Sequence, residues 1–140
     1  MTPIQRAQQE WVANTKPFCK DHFYENGKWQ GTDQFRQFDK AIALLNWNED
    51  CIEILKLETL QPRQGGPTRL ICFLKCLADR YKISLWGHAR LYKLDPPFPE
   101  GRLLTKEELF AFYERQGFQL RTIDADTCEI KYIPKTKFQT

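Results

Sequence analysis

Apolar and polar positions change rhythm several times along this chain, and each change marks an element. Near the N-terminus, Ile4, Trp11 and Val12 fall on one face of a first helix. After Gly31, the positions Phe35, Phe38, Ile42 and Leu45 repeat at helical spacing, with Thr32 or Asp33 placed as N-cap. They predict a second helix and a largely helical segment over residues 1–48. Between the two, "PFCKDHFYENGKW" reads as a short strand or loop ending in an Asn-Gly turn. From Cys51 to Leu60 the chain is strand-like and mostly apolar, as a central strand covered on both faces would be. Its alternation slips: Ile52 and Ile54 share one parity, Leu55 and Leu57 the other. A β-bulge and burial on both faces explain that slip equally well.

Beyond a Pro/Gly-rich turn, Leu70, Phe73, Leu74, Leu77, Ala78 and Tyr81 keep helical spacing through residue 81. "ISLWGHA", 83–89, is again strand-like. Strand, helix and strand with short joints make a βαβ unit, so the two strands are expected to be parallel neighbours joined by a right-handed crossover. "LYKLDPPFPEGRLL" is too rich in proline for regular structure. Thr105 and Glu108 have capping-box spacing at the start of "TKEELFAFYERQGF", and Gly117 stands where that helix should stop. Residues 118–123 and 128–133 alternate enough to form a closing hairpin around "DADT".

At 140 residues the chain has the length of one domain with one core. No run approaches the roughly 18 apolar residues of a membrane span. "MTPIQRAQQEWVANTK" lacks the apolar centre of a signal peptide, so a cytoplasmic location is expected. The net charge of +3 arises from 21 basic and 18 acidic residues that are interspersed. That is a mixed solvated surface, with nothing that singles out nucleic acid as a partner. The five cysteines show no disulfide framework. Cys72 and Cys76 share a helical face and Cys19 and His22 form a lone Cys-x-x-His, but neither pair has the further ligands of a zinc site. Reduced, mostly buried thiols and no metal are expected.

The turn "QPRQGGPT" joins a parallel-type strand to an amphipathic helix, where unpaired N–H groups and the helix dipole favour an anion. It lacks the Gly-Lys-Ser/Thr ending of a Walker A loop and the G-x-G-x-x-G of a dinucleotide fold. What it offers is Arg63-x-x-Gly66-x-Thr68. Downstream, "FYERQGF" spans Phe112 to Phe118. Together the two stretches resemble the GNAT family of acyl-CoA N-acetyltransferases, over about residues 49–134. Arg63-Gln64-Gly65-Gly66-Pro67-Thr68 stands at the acyl-CoA signature, and Phe112–Phe118 at the end of the family's later helix. The resemblance implies a single α/β domain with a mixed, mostly antiparallel sheet, one parallel strand pair, and helices on both faces. Residues 1–48 would be its divergent lead-in.

It further implies transfer of acetyl from acetyl-CoA directly to a primary amine, with no metal and no covalent enzyme intermediate. Leu60, Arg63, Gln64, Gly65, Gly66, Thr68 and Arg69 would hold the cosubstrate, the pyrophosphate sitting at the head of the helix. Pro67 has no N–H, so the cradle has one donor fewer and a modest affinity is expected. Tyr113 would protonate the departing thiolate. Glu58 would take the amine proton, with Glu53 and His88 as alternatives. The Pro-rich loop 92–104, with Tyr92, Phe98 and Arg102, would border the acceptor site. A homodimer is compatible with this reading. The alternative is a catalytically silent acyl-CoA sensor, or an interaction module, on the same scaffold.

Overall fold

The computed structural model describes residues 1–18, 20–25, 28–32, 35–61, 64–90 and 105–135, the side chains of 20–25 and 28–32 excepted. In chain order come helix α1 (Pro3–Asn14), strands β1 (Lys16–Pro17), β2 (Lys20–Glu25), β3 (Lys28–Thr32), β4 (Arg36–Phe38), β5 (Ala41–Trp47) and β6 (Cys51–Thr59), and helix α2 (Gly66–Tyr81). Strand β7 (Ser84–Arg90), helix α3 (Lys106–Arg115) and strands β8 (Gln119–Asp124) and β9 (Thr127–Tyr132) follow. One sheet runs β1-β4-β5-β6-β7-β9-β8, and β2 and β3 form a separate hairpin. Within the large sheet, neighbours are antiparallel apart from β6 and β7, which are parallel. This is the mixed, mostly antiparallel sheet with one parallel pair that the sequence predicts.

Helix α1 begins with a reciprocal cap: Gln5 N–H donates to Thr2 Oγ1 and Thr2 N–H to Gln5 Oε1. Its buried stripe is Ile4, Ala7 and Trp11, while Val12 turns out to solvent at 47% exposure. At its other end Arg36 closes the helix, Nε donating to Thr15 Oγ1 at 2.7 Å and Nη2 to the Thr15 carbonyl at 3.0 Å.

The predicted second helix is instead the hairpin β4–β5. Phe38 pairs with Ala41 across a two-residue turn at Asp39–Lys40, with Asp39 in the left-handed region at φ +54°. Ala41, Ile42 and Ala43 are all buried, so β5 is covered on both faces at this end and shows no alternation. An unbroken apolar run fits helical spacing as readily as strand spacing, which is why the residues misled.

Strand β6 carries the bulge. Leu44 opposes Lys56 and Leu45 opposes Ile54, leaving Leu55 without a partner on β5. Helix α2 begins at Gly66 and buries Leu70, Ile71, Leu74, Leu77 and Ala78 in one cluster with Ala41, Ala43, Ile52, Ile54 and Leu85. Helix α3 has the predicted cap, Glu108 N–H donating to Thr105 Oγ1 at 3.1 Å, and Gly117 ends it at φ +89°. Lys75 of α2 ties the two helices together by donating to the Gln116 carbonyl at 2.8 Å. The described cysteines are free thiols, and here the expectation of burial fails: Cys72 and Cys76 are exposed, Cys51 is half-buried and only Cys128 among them is buried. No helix among the described residues is long and apolar enough to cross a membrane.

Candidate active site

The parallel strands pair from Cys51 and Ser84 to Ile54 and Gly87, and then part. At Gly87 the approach is tight: a Cβ there would lie 2.7 Å from the Ile54 carbonyl oxygen. The bulge at Leu55 follows immediately and bends β6 away, while β6 stays on β5 as far as Thr59 and β7 stays on β9 as far as Arg90. A cleft of about 60 Å³ opens between them. Leu55, Lys56 and Leu57 form one wall, His88, Ala89 and Arg90 the other, and Ile54, Leu109 and Tyr113 close it.

Backbone direction on the β6 wall follows from the ladder. Leu60 N–H donates to the Lys40 carbonyl at 2.8 Å, and the same register pairs Glu58 with Ile42 and Lys56 with Leu44. Antiparallel hydrogen bonding alternates, so Leu57 and Thr59 aim their N–H and C=O groups away from β5, toward the open edge. An extended chain laid in the cleft therefore meets hydrogen-bonding groups at those two residues.

Tyr113 lies one turn beyond Leu109 on α3 and is 5% exposed. Its ring stands edge-on to Phe112 and Phe118, at centroid distances of 5.1 and 5.3 Å, which fixes its direction. Glu58 is half-buried on β6, its side chain on the sheet face that Ile42 takes, and it is not among the cleft-lining residues. His88 does line the cleft, exposed, with its ring 4.9 Å from that of Trp86 in an edge contact. Across the β7–β9 ladder from His88 stands Glu129. The Arg121 guanidinium, 2.8 Å away, holds its carboxyl below the usual carboxylate range. Glu53 faces Trp86 on the paired part of the strands, before the cleft opens.

At the head of α2, Gly65 caps the helix in the left-handed region at φ +72°. Gly66 and Thr68 lie in the first turn, where N–H groups have no partner within the helix. Pro67 contributes none, and Arg69 N–H is taken by the Gly65 carbonyl at 3.1 Å. Arg69 thus offers its guanidinium rather than its backbone. That group donates from Nε to Asp39 Oδ2 at 2.6 Å and from Nη2 to the Gln64 carbonyl at 2.6 Å. Lys40 Nζ donates to Gln64 Oε1 at 3.2 Å. The Asp39 carboxyl is held below its usual range by the Arg69 hydrogen bond. A Cβ on Gly66 would lie 2.6 Å from the Lys40 carbonyl oxygen, so the β4–β5 turn is pressed against the start of α2.

The structure therefore gathers Gln64, Gly65, Gly66, Thr68 and Arg69 at one helix end and sets Tyr113 at the splay. Leu60 follows the last residue of β6, with its N–H spent on Lys40. Arg63 and the loop 92–104, with Tyr92, Phe98 and Arg102, lie outside the described residues, as do Cys19 and the His22 side chain. Sequence reasoning missed Asp39 and Lys40, which a helical reading of residues 32–45 placed far from this site. It also missed Leu57, Lys56 and Arg90, although the broken alternation at Leu55 pointed to the right part of β6.

No family model and no curated protein matches the sequence. Solved structures do. The anti-CRISPR protein AcrVA5 superposes with a TM-score of 0.50 at 21% identity, over 69% of this chain and 93% of that one. Ard1 from Thermoplasma volcanium superposes with a TM-score of 0.49 at 13% identity, over 95% of this chain and 78% of that one. At 21% identity the likeness to AcrVA5 is one of fold. The chain is an α/β protein of GNAT-like fold, with a mixed sheet whose single parallel pair splays at a bulge.

Proposed function

We propose that the chain transfers an acetyl group from acetyl-CoA directly to a primary amine. One observation carries this reading: the parallel pair splays at the Leu55 bulge, and Tyr113 closes the cleft so formed. The residues present suit the cosubstrate. Thr59 and Leu57 offer backbone partners to an amide-bearing arm, and Gly66, Thr68, Lys40 and Arg69 face a pyrophosphate at the head of α2. Bound there, acetyl-CoA supplies the acyl group, which passes to the amine as the C–S bond breaks.

The chain's own groups then have distinct roles. Leu57 N–H polarises the acetyl oxygen in the manner of an oxyanion hole. The Tyr113 hydroxyl gives its proton to the departing sulfur. A lysine-like ammonium has a pKa of about 10.4, so the acceptor must lose a proton before it attacks. His88, on the cleft wall, is the nearer acceptor for that proton by its place in the lining, and Glu58 acts from the same sheet face through water.

Calorimetric titration with acetyl-CoA, run beside a thiol-release assay against a panel of amines, tests the reading. Tyr113→Phe is expected to lower turnover on the order of 10²-fold or more with little change in acetyl-CoA affinity. Absence of acetyl-CoA binding would overturn the proposal. Binding without turnover, indifferent to Tyr113→Phe, would favour a catalytically silent sensor.

A further inference from the structure

Away from the cleft, two thiols of α2 form a group that acetyl transfer does not use. Cys72 and Cys76 are free and exposed, four residues apart on a helix that runs unbroken from Gly66 to Tyr81. At that spacing the Cβ atoms stand about 5–6 Å apart, one above the other. The helix beneath them is fixed, because Ile71, Leu74 and Leu77 are fully buried. Both thiols turn toward the place where α2 meets the end of α3 and strand β9. Cys72 Sγ lies 3.9 Å from Gln116 Oε1. Cys76 is among the groups whose charge reaches the Tyr132 phenol. Lys75 contacts the same two residues: its Nζ donates to the Gln116 carbonyl at 2.8 Å and lies 5.7 Å from the Tyr132 ring centroid. Two sulfur ligands and one ammonium thus face one seam.

The ligand count decides which ion fits. A structural zinc site takes four protein ligands and a catalytic one three. Among the described residues no third histidine, cysteine, aspartate or glutamate joins the pair. Asp79, next along the same helical face, is occupied: it accepts from the Tyr132 hydroxyl at 2.9 Å and from Lys135 N–H at 2.8 Å. Hard cations such as calcium and magnesium take oxygen ligands and have no use for thiols. What remains is a soft ion satisfied by two sulfurs, and thiolates select Cu(I). Metal–sulfur bonds of roughly 2.3 Å each are spanned by two thiols at this spacing after rotation about χ1. We propose that Cys72 and Cys76 chelate one Cu(I) ion on the surface of α2, at a site independent of acetyl transfer. Two Cu–S bonds form and the two thiol protons pass to solvent, with no change of oxidation state. The bis-thiolate complex carries one net negative charge, which the Lys75 ammonium offsets.

Anaerobic titration of the full chain with Cu(I), in competition with the chelator bicinchoninate and followed by native mass spectrometry, tests it. One Cu(I) per chain is expected to be held against the competitor. Removing either thiol leaves a single ligand, so Cys72→Ser and Cys76→Ser should each weaken binding on the order of 10²-fold or more, as losing a linked second contact does. Thermal melting of each variant without copper separates lost ligation from lost fold. Alkylation and peptide mapping of the unaltered chain give a second readout: Cu(I) should protect Cys72 and Cys76 together. Copper held at full affinity by either variant would overturn the proposal, as would one copper on each thiol. Protection that falls on Cys51 or Cys128 instead of the pair would do the same. Zn(II) held as tightly as Cu(I) would overturn the two-coordinate assignment. None of these outcomes depends on whether the chain binds acetyl-CoA.

Discussion

Gly66 shows how a glycine can serve a packing purpose that the sequence does not announce. In the sequence it looks like a glycine that lets a backbone approach a phosphate. In the structure its missing side chain makes room for the Lys40 carbonyl, 2.6 Å from where a Cβ would stand. Neither partner is a flexible side-chain end, so Gly66→Ala must push the β4–β5 turn away from α2. Overpacking of this kind costs about 1–3 kcal/mol, which urea denaturation should register. Because the same turn carries Asp39 and Lys40, acetyl-CoA affinity should fall in parallel. A variant that loses stability but keeps affinity would uncouple the turn from the cofactor site.

Among the elements, α2 does two things at once, and they pull against each other at Pro67. Its apolar stripe anchors the core through Leu70, Leu74 and Leu77, each fully buried. In the proposed acetyl transfer, its first turn would also present N–H groups to a pyrophosphate. Proline suits the start of a helix, since its fixed φ lowers the entropy of the unfolded chain, yet it removes a donor from the cradle. Pro67→Ala should therefore lower stability by about 0.4–1 kcal/mol while tightening acetyl-CoA binding, two opposite shifts to be measured by melting and by titration. Most of α2 was legible beforehand, because spacing along one helix is a local property. So were α3 with its Thr105–Glu108 cap and the strand β7. The hairpin β4–β5 was not: residues 41–43 are buried on both faces, and that burial erases the alternation by which a strand is recognised.

On the scale of the whole molecule, α2 is tied to strand β9 by Tyr132. Its hydroxyl donates to Asp79 Oδ1 at 2.9 Å, and Asp79 also accepts from Lys135 N–H at 2.8 Å. Burial, and then the neighbouring Asp79 carboxylate, push the Tyr132 phenol up to about 12 from an ordinary value of 10.0. A raised phenol pKa means that folding favours the protonated form. The stabilisation is present in full below pH 10 and is lost as pH rises through 12. Urea midpoints should show the wild type ahead of Tyr132→Phe at pH 8, with the gap closing between about pH 10 and 12. A gap that stays constant across that window would remove this contact as the cause.

The sequence by itself determined what depends on a few neighbouring residues: the α2 and α3 periodicities, the Thr105–Glu108 capping box, the βαβ order, and a fault in β6 near Leu55. Those signals survive without a fold because backbone geometry imposes them over one or two turns. Tertiary structure decided the rest. It alone made β4–β5 a hairpin and set its turn against Gly66. It also joined Arg69 to Asp39 across thirty positions of chain, turned Leu57 toward an open edge, and placed Lys56 and Arg90 on either side of the cleft. Each of these is a contact between segments distant in sequence, and no local spacing records which segments will meet.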